Sequence, residues 1–125
     1  MSDKIDLFKG VNRVMNPDNM TNLEKQHKIS LEVPEKVNSN VSFDVELAIG
    51  HDDPHPHDPD HFIQYIELFS GEALVSRYEM PAVTINIPSI RVTIQLPGWA
   101  DSELIVRARC NLHGIWEARR KIQLV

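Results

Sequence analysis

The sequence predicts an all-β domain, an antiparallel sandwich of seven or eight short strands preceded by an irregular N-terminal arm, and three observations predict it. Residues 41 to 49, VSFDVELAI, place Val41, Phe43, Val45, Leu47 and Ile49 on one face and Ser42, Asp44 and Glu46 on the other. A two-residue period is the mark of a half-buried strand. The same period returns through Ile90, Val92, Ile94 and Leu96, and through Leu104, Val106, Ala108 and Cys110, with Arg107 and Arg109 facing outward. Finally, breakers at Pro34, the proline cluster of 54 to 59, Ser70-Gly71, Pro81, Pro88 and Pro97-Gly98 cut the chain into strand-length pieces.

Taken in order, residues 1 to 26, rich in Asn, Asp and Lys, read as an arm rather than a second domain. Within it TNLE, 21 to 24, has the spacing of a capping box, in which Thr21 caps a short helix and Glu24 bonds back to its start. ISLEV (29 to 33) is the first strand and 41 to 49 the second; FIQYIELF (62 to 69), EALVSRYEM (72 to 80) and AVTINI (82 to 87) follow. Residues 90 to 96, 104 to 110 and WEARRKIQL (116 to 124) complete the set. Strands at this spacing, without a long helix, fit an immunoglobulin-like sandwich over 27 to 125. Phe62, Tyr65, Phe69 and Tyr78 are expected in the core or in strand pairing, and the basic pair Arg119-Arg120 carries no signal of its own.

A chain of 125 residues buries roughly two-thirds of its unfolded surface in one core and needs no staples. Its single Cys cannot form an intramolecular disulfide, and MSDKIDLFKG holds neither a signal-peptide core nor a membrane span. A protein of the reducing cytoplasm is expected. Thirteen basic against eighteen acidic residues leave a net charge of −5, which argues against nucleic acid as the main partner.

The chemistry sits in two clusters. In CNLHGIW, 110 to 116, the lone Cys110 ends a strand on its apolar face, so burial alone would explain it. Three residues later comes His113, and a C-x-x-H turn lets a thiolate and an imidazole converge on one ion. GHDDPHPHDPDHF, 50 to 62, gathers four of the six histidines in one loop, where Pro54, Pro56 and Pro59 forbid a helix. Asp52, Asp53, Asp58 and Asp60 raise calcium as a competitor, but neither register supplies the glycine and glutamate a calcium loop requires. Imidazole with thiolate favours iron, copper or zinc.

Three separated segments, LEKQH (23 to 27) with PEKV (34 to 37), PHPHDPDHFIQYIEL (54 to 68) and CNLHGIWE (110 to 117), resemble the superoxide reductases, also called neelaredoxins or the iron-binding part of desulfoferrodoxins. The resemblance covers most of the chain from Asn12 onward. It implies a mononuclear iron with four equatorial imidazoles, His27, His55, His61 and His113, and an axial thiolate, Cys110, near the surface of the sandwich. His51 and His57 are left over as loop surface. Such a ferrous centre carries a charge of about +1 on a negative protein and draws in an anion; an open sixth position would take superoxide, and the thiolate would push electron density toward it.

The resemblance further implies a rubredoxin-like electron donor, a homodimer or homotetramer, no membrane or nucleic-acid partner, and, with one Cys, the one-iron class. Family members place a Lys directly before the first ligand histidine and Val-Pro after it; here Gln26 and Lys28-Ile29 stand there. Lys25 is the nearest candidate for steering superoxide or delivering a proton. Glu24 is the candidate sixth ligand of ferric iron, although a Glu that caps a helix cannot also sit on the metal. Trp116 is expected to pack over the metal loop, and Asn111 to orient its turn. A cupredoxin-like electron carrier and a non-catalytic, zinc-stiffened binding module are the rival functions; against the former, no Met follows His113 as a weak axial ligand.

Overall fold

In the computed structural model, residues 10–50, 55–81 and 88–125 are described, and among them ten strands and one short helix form three sheets. In chain order these are β1 (Val11–Asn12), α1 (Asn22–His27), β2 (Ile29–Glu32), β3 (Lys36–Val37), β4 (Phe43–Ile49), β5 (Ile63–Ser70), β6 (Ala73–Glu79), β7 (Ser89–Ile94), β8 (Glu103–Cys110), β9 (Gly114–Lys121) and β10 (Gln123–Leu124). A five-stranded sheet runs β1-β9-β8-β5-β6 and a three-stranded one β2-β4-β7, while β10 pairs with β3. Pairing is antiparallel except for β1 with β9 and β10 with β3.

Alternation drives the packing. Leu104, Val106, Ala108 and Cys110 of β8 and Ile66 and Leu68 of β5 meet Val45, Leu47 and Ile49 of β4 in one buried cluster. Each such aliphatic side chain stabilises the fold by roughly 1.5–3 kcal/mol when fully buried. The two larger sheets therefore close face to face as an immunoglobulin-like sandwich. The predicted strand over 82 to 87 lies outside the described residues.

Several details differ from the expectation. The arm is not wholly irregular: β1 pairs with β9, while α1 is the short helix that the capping box predicts. Val41 is 53% exposed, because Asn40 takes a left-handed turn at φ 62° and the strand begins only at Phe43. Tyr65 and Phe69 are paired within β5 as expected, on the outer face of the sheet, under the guanidinium groups of Arg77 and Arg107 at 4.0 and 5.5 Å from the ring centres. The last predicted strand starts earlier, at Gly114, and breaks at Ile122 before β10. On β5 a register shift between Ile63 and Tyr65 breaks the period. This bulge turns Ile63 into the core at the same end of the sheet as Cys110, its partner across the ladder.

The basic pair also has work that its sequence did not signal. Arg120 donates to the Leu31 carbonyl at 3.0 Å, bridging the two larger sheets. Arg119 donates at 2.6 Å to Glu117, whose side chain is 0% exposed and also receives Arg107 at 2.8 Å and Arg13 at 2.9 Å. Burial works to raise the Glu117 pKa, but the hydrogen bonds from Arg119, Arg107 and Arg13 outweigh it and bring it down to about 2. A depressed carboxylate contributes stability that is complete above the unfolded value near 4.5 and disappears as pH falls through 2. Glu117→Gln is expected to cost about 1–3 kcal/mol in urea unfolding at pH 7, toward the lower end because the arginines are partly exposed, and to cost progressively less as pH falls toward and below 2.

Candidate metal centre

Five sequence-distant side chains meet at one end of the sandwich. Thr21 caps α1 and its hydroxyl accepts the Glu24 N–H at 3.1 Å, so the helix starts at Asn22 and delivers His27 as its last residue. Asp58-Pro59-Asp60-His61 is a turn built by proline chemistry: the Asp58 N–H donates to the His61 carbonyl at 3.0 Å and the His61 N–H to the Asp58 carbonyl at 3.1 Å. The Asp58 carboxylate adds bonds from the Asp60 and His61 N–H groups, both at 3.0 Å. Asp58 thus shapes the loop instead of holding calcium. Cys110 ends β8, and His113 lies in the turn to β9, which Gly114 closes at φ 75°, a conformation costly for other residues.

One nitrogen of His27, His55, His61 and the sulfur of Cys110 all lie within 4.8 Å of one another. His113 joins them, its Nδ1 3.7 Å from the Cys110 sulfur and its ring centre 5.0 Å from that of His27 and 4.9 Å from that of His61. The protonation pattern says what they are built for. His27 Nδ1–H donates to the Leu23 carbonyl at 2.7 Å, and His55 Nδ1–H to the Pro56 carbonyl at 2.6 Å. Both rings therefore turn an Nε2 lone pair inward, and these two Nε2 atoms stand 3.2 Å apart.

Two acceptors facing each other need a shared cation. A proton is a poor candidate, because burial pulls the pKa of His27 down to about 4 and that of His55 to about 3. Burial lowers His61 and His113 as well. His61 Nε2 is itself buried without any hydrogen-bond partner, a group that a metal would satisfy. Burial raises the Cys110 thiol, against the N–H groups of Leu112 and His113 that bond its sulfur; an ion would take the thiolate and release the proton. The donor set suits a transition metal.

Surrounding groups hold the rings. Trp116 stacks on His27 with ring centres 4.8 Å apart and planes 16° from parallel, and its indole N–H donates to the His113 carbonyl at 3.0 Å. Asn12 Nδ2 reaches the same carbonyl at 3.3 Å and that of Ile115 at 3.0 Å. Trp116 therefore covers the centre as expected, whereas the anchoring by Asn12 and the carbonyls of Leu23 and Pro56 carried no sequence signal. His57 is half-buried against Phe62 and donates to the Pro81 carbonyl at 2.5 Å, so it stiffens the loop; His51 lies outside the described residues.

Glu24 is not among the grouped donor atoms. Glu24 is buried, and its carboxylate oxygens accept the N–H groups of Thr21 at 2.9 Å and Met15 at 2.8 Å, completing the capping box. The Thr21 N–H holds its carboxyl below the usual range against the effect of burial. Glu24→Ala is expected to cost about 1 kcal/mol of stability, as loss of a cap does, and to leave the absorption spectrum of the metal-loaded protein unchanged. Lys25 is exposed. Two residues of helix are roughly 200° of rotation, so it leaves the helix on the side opposite the inward-facing His27.

Fold and cluster together define a β-sandwich protein with a histidine-and-cysteine cluster capable of holding a metal ion. The desulfoferrodoxin family model matches residues 19–119, and the chain belongs to that family, the superoxide reductase family of oxidoreductases. A relative in Methanocaldococcus jannaschii, provisionally named a superoxide reductase, is 33% identical over 119 residues, 94% of this chain and 97% of its own. The superoxide reductase of Pyrococcus horikoshii is 32% identical over 79 residues, 58% of this chain and 69% of its own. Among solved structures, the superoxide reductase (neelaredoxin) of Ignicoccus hospitalis superposes with a TM-score of 0.68 at 30% identity, covering 79% of this chain and 81% of that one. A variant of the same protein reaches 0.74 at 28% identity, covering 92% and 94%.

Proposed function

We propose that this chain is a superoxide reductase of the one-iron class, in which His27, His55, His61, His113 and Cys110 hold a mononuclear iron. The observation that carries the reading is the buried pair of inward-facing imidazole Nε2 atoms 3.2 Å apart, with the Cys110 sulfur in the same cluster. Bound iron would supply one electron to superoxide, which with two protons becomes hydrogen peroxide, the iron passing from ferrous to ferric.

The protein's own residues do the rest. The Leu23 and Pro56 carbonyls fix the tautomers of His27 and His55 so that no proton occupies the inward nitrogens. The Leu112 and His113 N–H groups bond the Cys110 sulfur and moderate its donor strength. Trp116 shields one flank from water. Lys25 is left a steering role, exercised through its charge at a distance, and Glu24 would have to give up two charge-assisted hydrogen bonds, each worth about 1.5–3 kcal/mol, to reach an ion. A rubredoxin-like donor, a homo-oligomeric state and a cytoplasmic location belong to the same reading. Among the described residues no helix is long and apolar enough to cross a membrane.

Metal analysis of protein purified without added metal, followed by stopped-flow mixing of the reduced protein with superoxide, tests the proposal. One iron per chain and rapid consumption of superoxide are expected. Copper near one per chain would favour an electron carrier, and zinc with no superoxide consumption a structural site.

A further inference from the structure

The turn from Cys110 to His113 joins β8 to β9, and the turn that carries His61 leads into β5, so something has to hold one against the other. Backbone pairing does this only up to Ile63 and Cys110. Beyond that point the connection passes through one residue. The Asn111 N–H donates to the Phe62 carbonyl at 3.1 Å. Its side-chain oxygen accepts the Phe62 N–H at 2.9 Å, and its side-chain nitrogen donates to the Asp60 carbonyl at 3.0 Å. The side chain therefore grips the backbone on both sides of His61 while the main chain lies between Cys110 and His113.

We infer that Asn111 is a positioning residue for the metal centre, a clasp that sets His61 relative to Cys110 and His113. The inference rests on the proposed ligand set. A primary amide suits the task because it offers an acceptor and a donor side by side, the pattern of a peptide group, and so extends the ladder where the strands have ended. His61 needs such a clasp more than its fellows. His27 and His55 are each tethered through Nδ1 to a carbonyl; among the described residues the His61 ring shows no such bond, and its buried Nε2 is left to face an ion. With its ring untethered, His61 keeps its place through its backbone, and Asn111 fixes that backbone on either side.

The test is cobalt(II) binding, measured by competition with a chelator and by the sulfur-to-cobalt charge-transfer band, in a double-mutant cycle. Asn111→Ala is expected to weaken cobalt binding about 10- to 100-fold, the range found when an outer partner of a ligand is lost, and to shift the band. His61→Ala alone weakens binding too. In the His61→Ala background the further change to Ala at position 111 is expected to cost less than about threefold, because the clasp then has no ligand to place. Equal losses in the two backgrounds would mean that Asn111 only supports the fold, and the inference would be wrong.

Asn111→Asp covers the case in which the alanine variant does not fold. It keeps the oxygen that accepts from Phe62 and loses the donor to Asp60, so it is expected to fold, to bind cobalt more weakly than the parent, and to show the same coupling to His61. Unchanged affinity and spectrum in that variant would overturn the clasp while leaving the metal centre intact. Failure of the parent protein to bind cobalt with a charge-transfer band would instead remove the ligand set on which the clasp depends.

Discussion

Cys110→Ser is expected to lower superoxide consumption by the reduced, iron-loaded protein at least about 100-fold, the upper end of what loss of a mere outer partner of a ligand costs. The sulfur is 0% exposed and shares its pocket with the nitrogens of His27, His55 and His61. A serine hydroxyl is nearly the same size, so the sandwich should still assemble. It stays protonated near neutrality and gives little electron density to an ion. Stopped-flow mixing with superoxide reads the rate, and disappearance of the sulfur-to-metal absorption band reads the missing ligand. Full activity in a serine variant that retains its iron would show that sulfur has no part in the reaction.

Removing the metal is expected to make stability strongly dependent on pH. In the metal-free fold, burial brings His27 to about 4 and His55 to about 3, while the unfolded chain titrates near 6.5. Below pH 6.5 the unfolded state therefore binds protons that the native state refuses, so the stability these residues contribute is complete above that value and is lost as pH falls. The slope is about 1.4 kcal/mol per pH unit for each histidine. Chelator-treated protein should accordingly unfold at much lower urea at pH 4.5 than at pH 7.5. Metal-loaded protein should hold its midpoint further into acid, until protons displace the ion from the imidazoles and the thiolate. Identical pH profiles with and without metal would contradict the assignment of these histidines as ligands.

Much of the fold was legible because a strand's side chains alternate faces whatever lies beyond it. The runs through Phe43 to Ile49 and Leu104 to Cys110 declare their buried sides locally, and the observed strands follow them. Departures fall where local pattern meets a tertiary constraint: the left-handed Asn40 that displaces Val41, the bulge that turns Ile63 inward, and the arginines that close over Glu117. In the site, the residue types were readable: imidazoles gathered in a proline-broken loop, and a thiol paired with an imidazole in a C-x-x-H turn. The family resemblance then singled out five of them.

On its own, the sequence determined the sandwich, the C-x-x-H turn, the helix-free histidine loop and the capped helix, because each depends on neighbours within a few residues: the period of two, the prolines of 54 to 59, the Thr21–Glu24 box. Only the tertiary structure decided which nitrogen of His27 and of His55 faces inward, and that the Met15 N–H joins Thr21 in holding Glu24. It likewise decided that Asn111 links the turn after β8 to the turn before β5. Those outcomes turn on backbone carbonyls and N–H groups, which nearly every residue possesses, so they become visible only when packing brings distant backbone together.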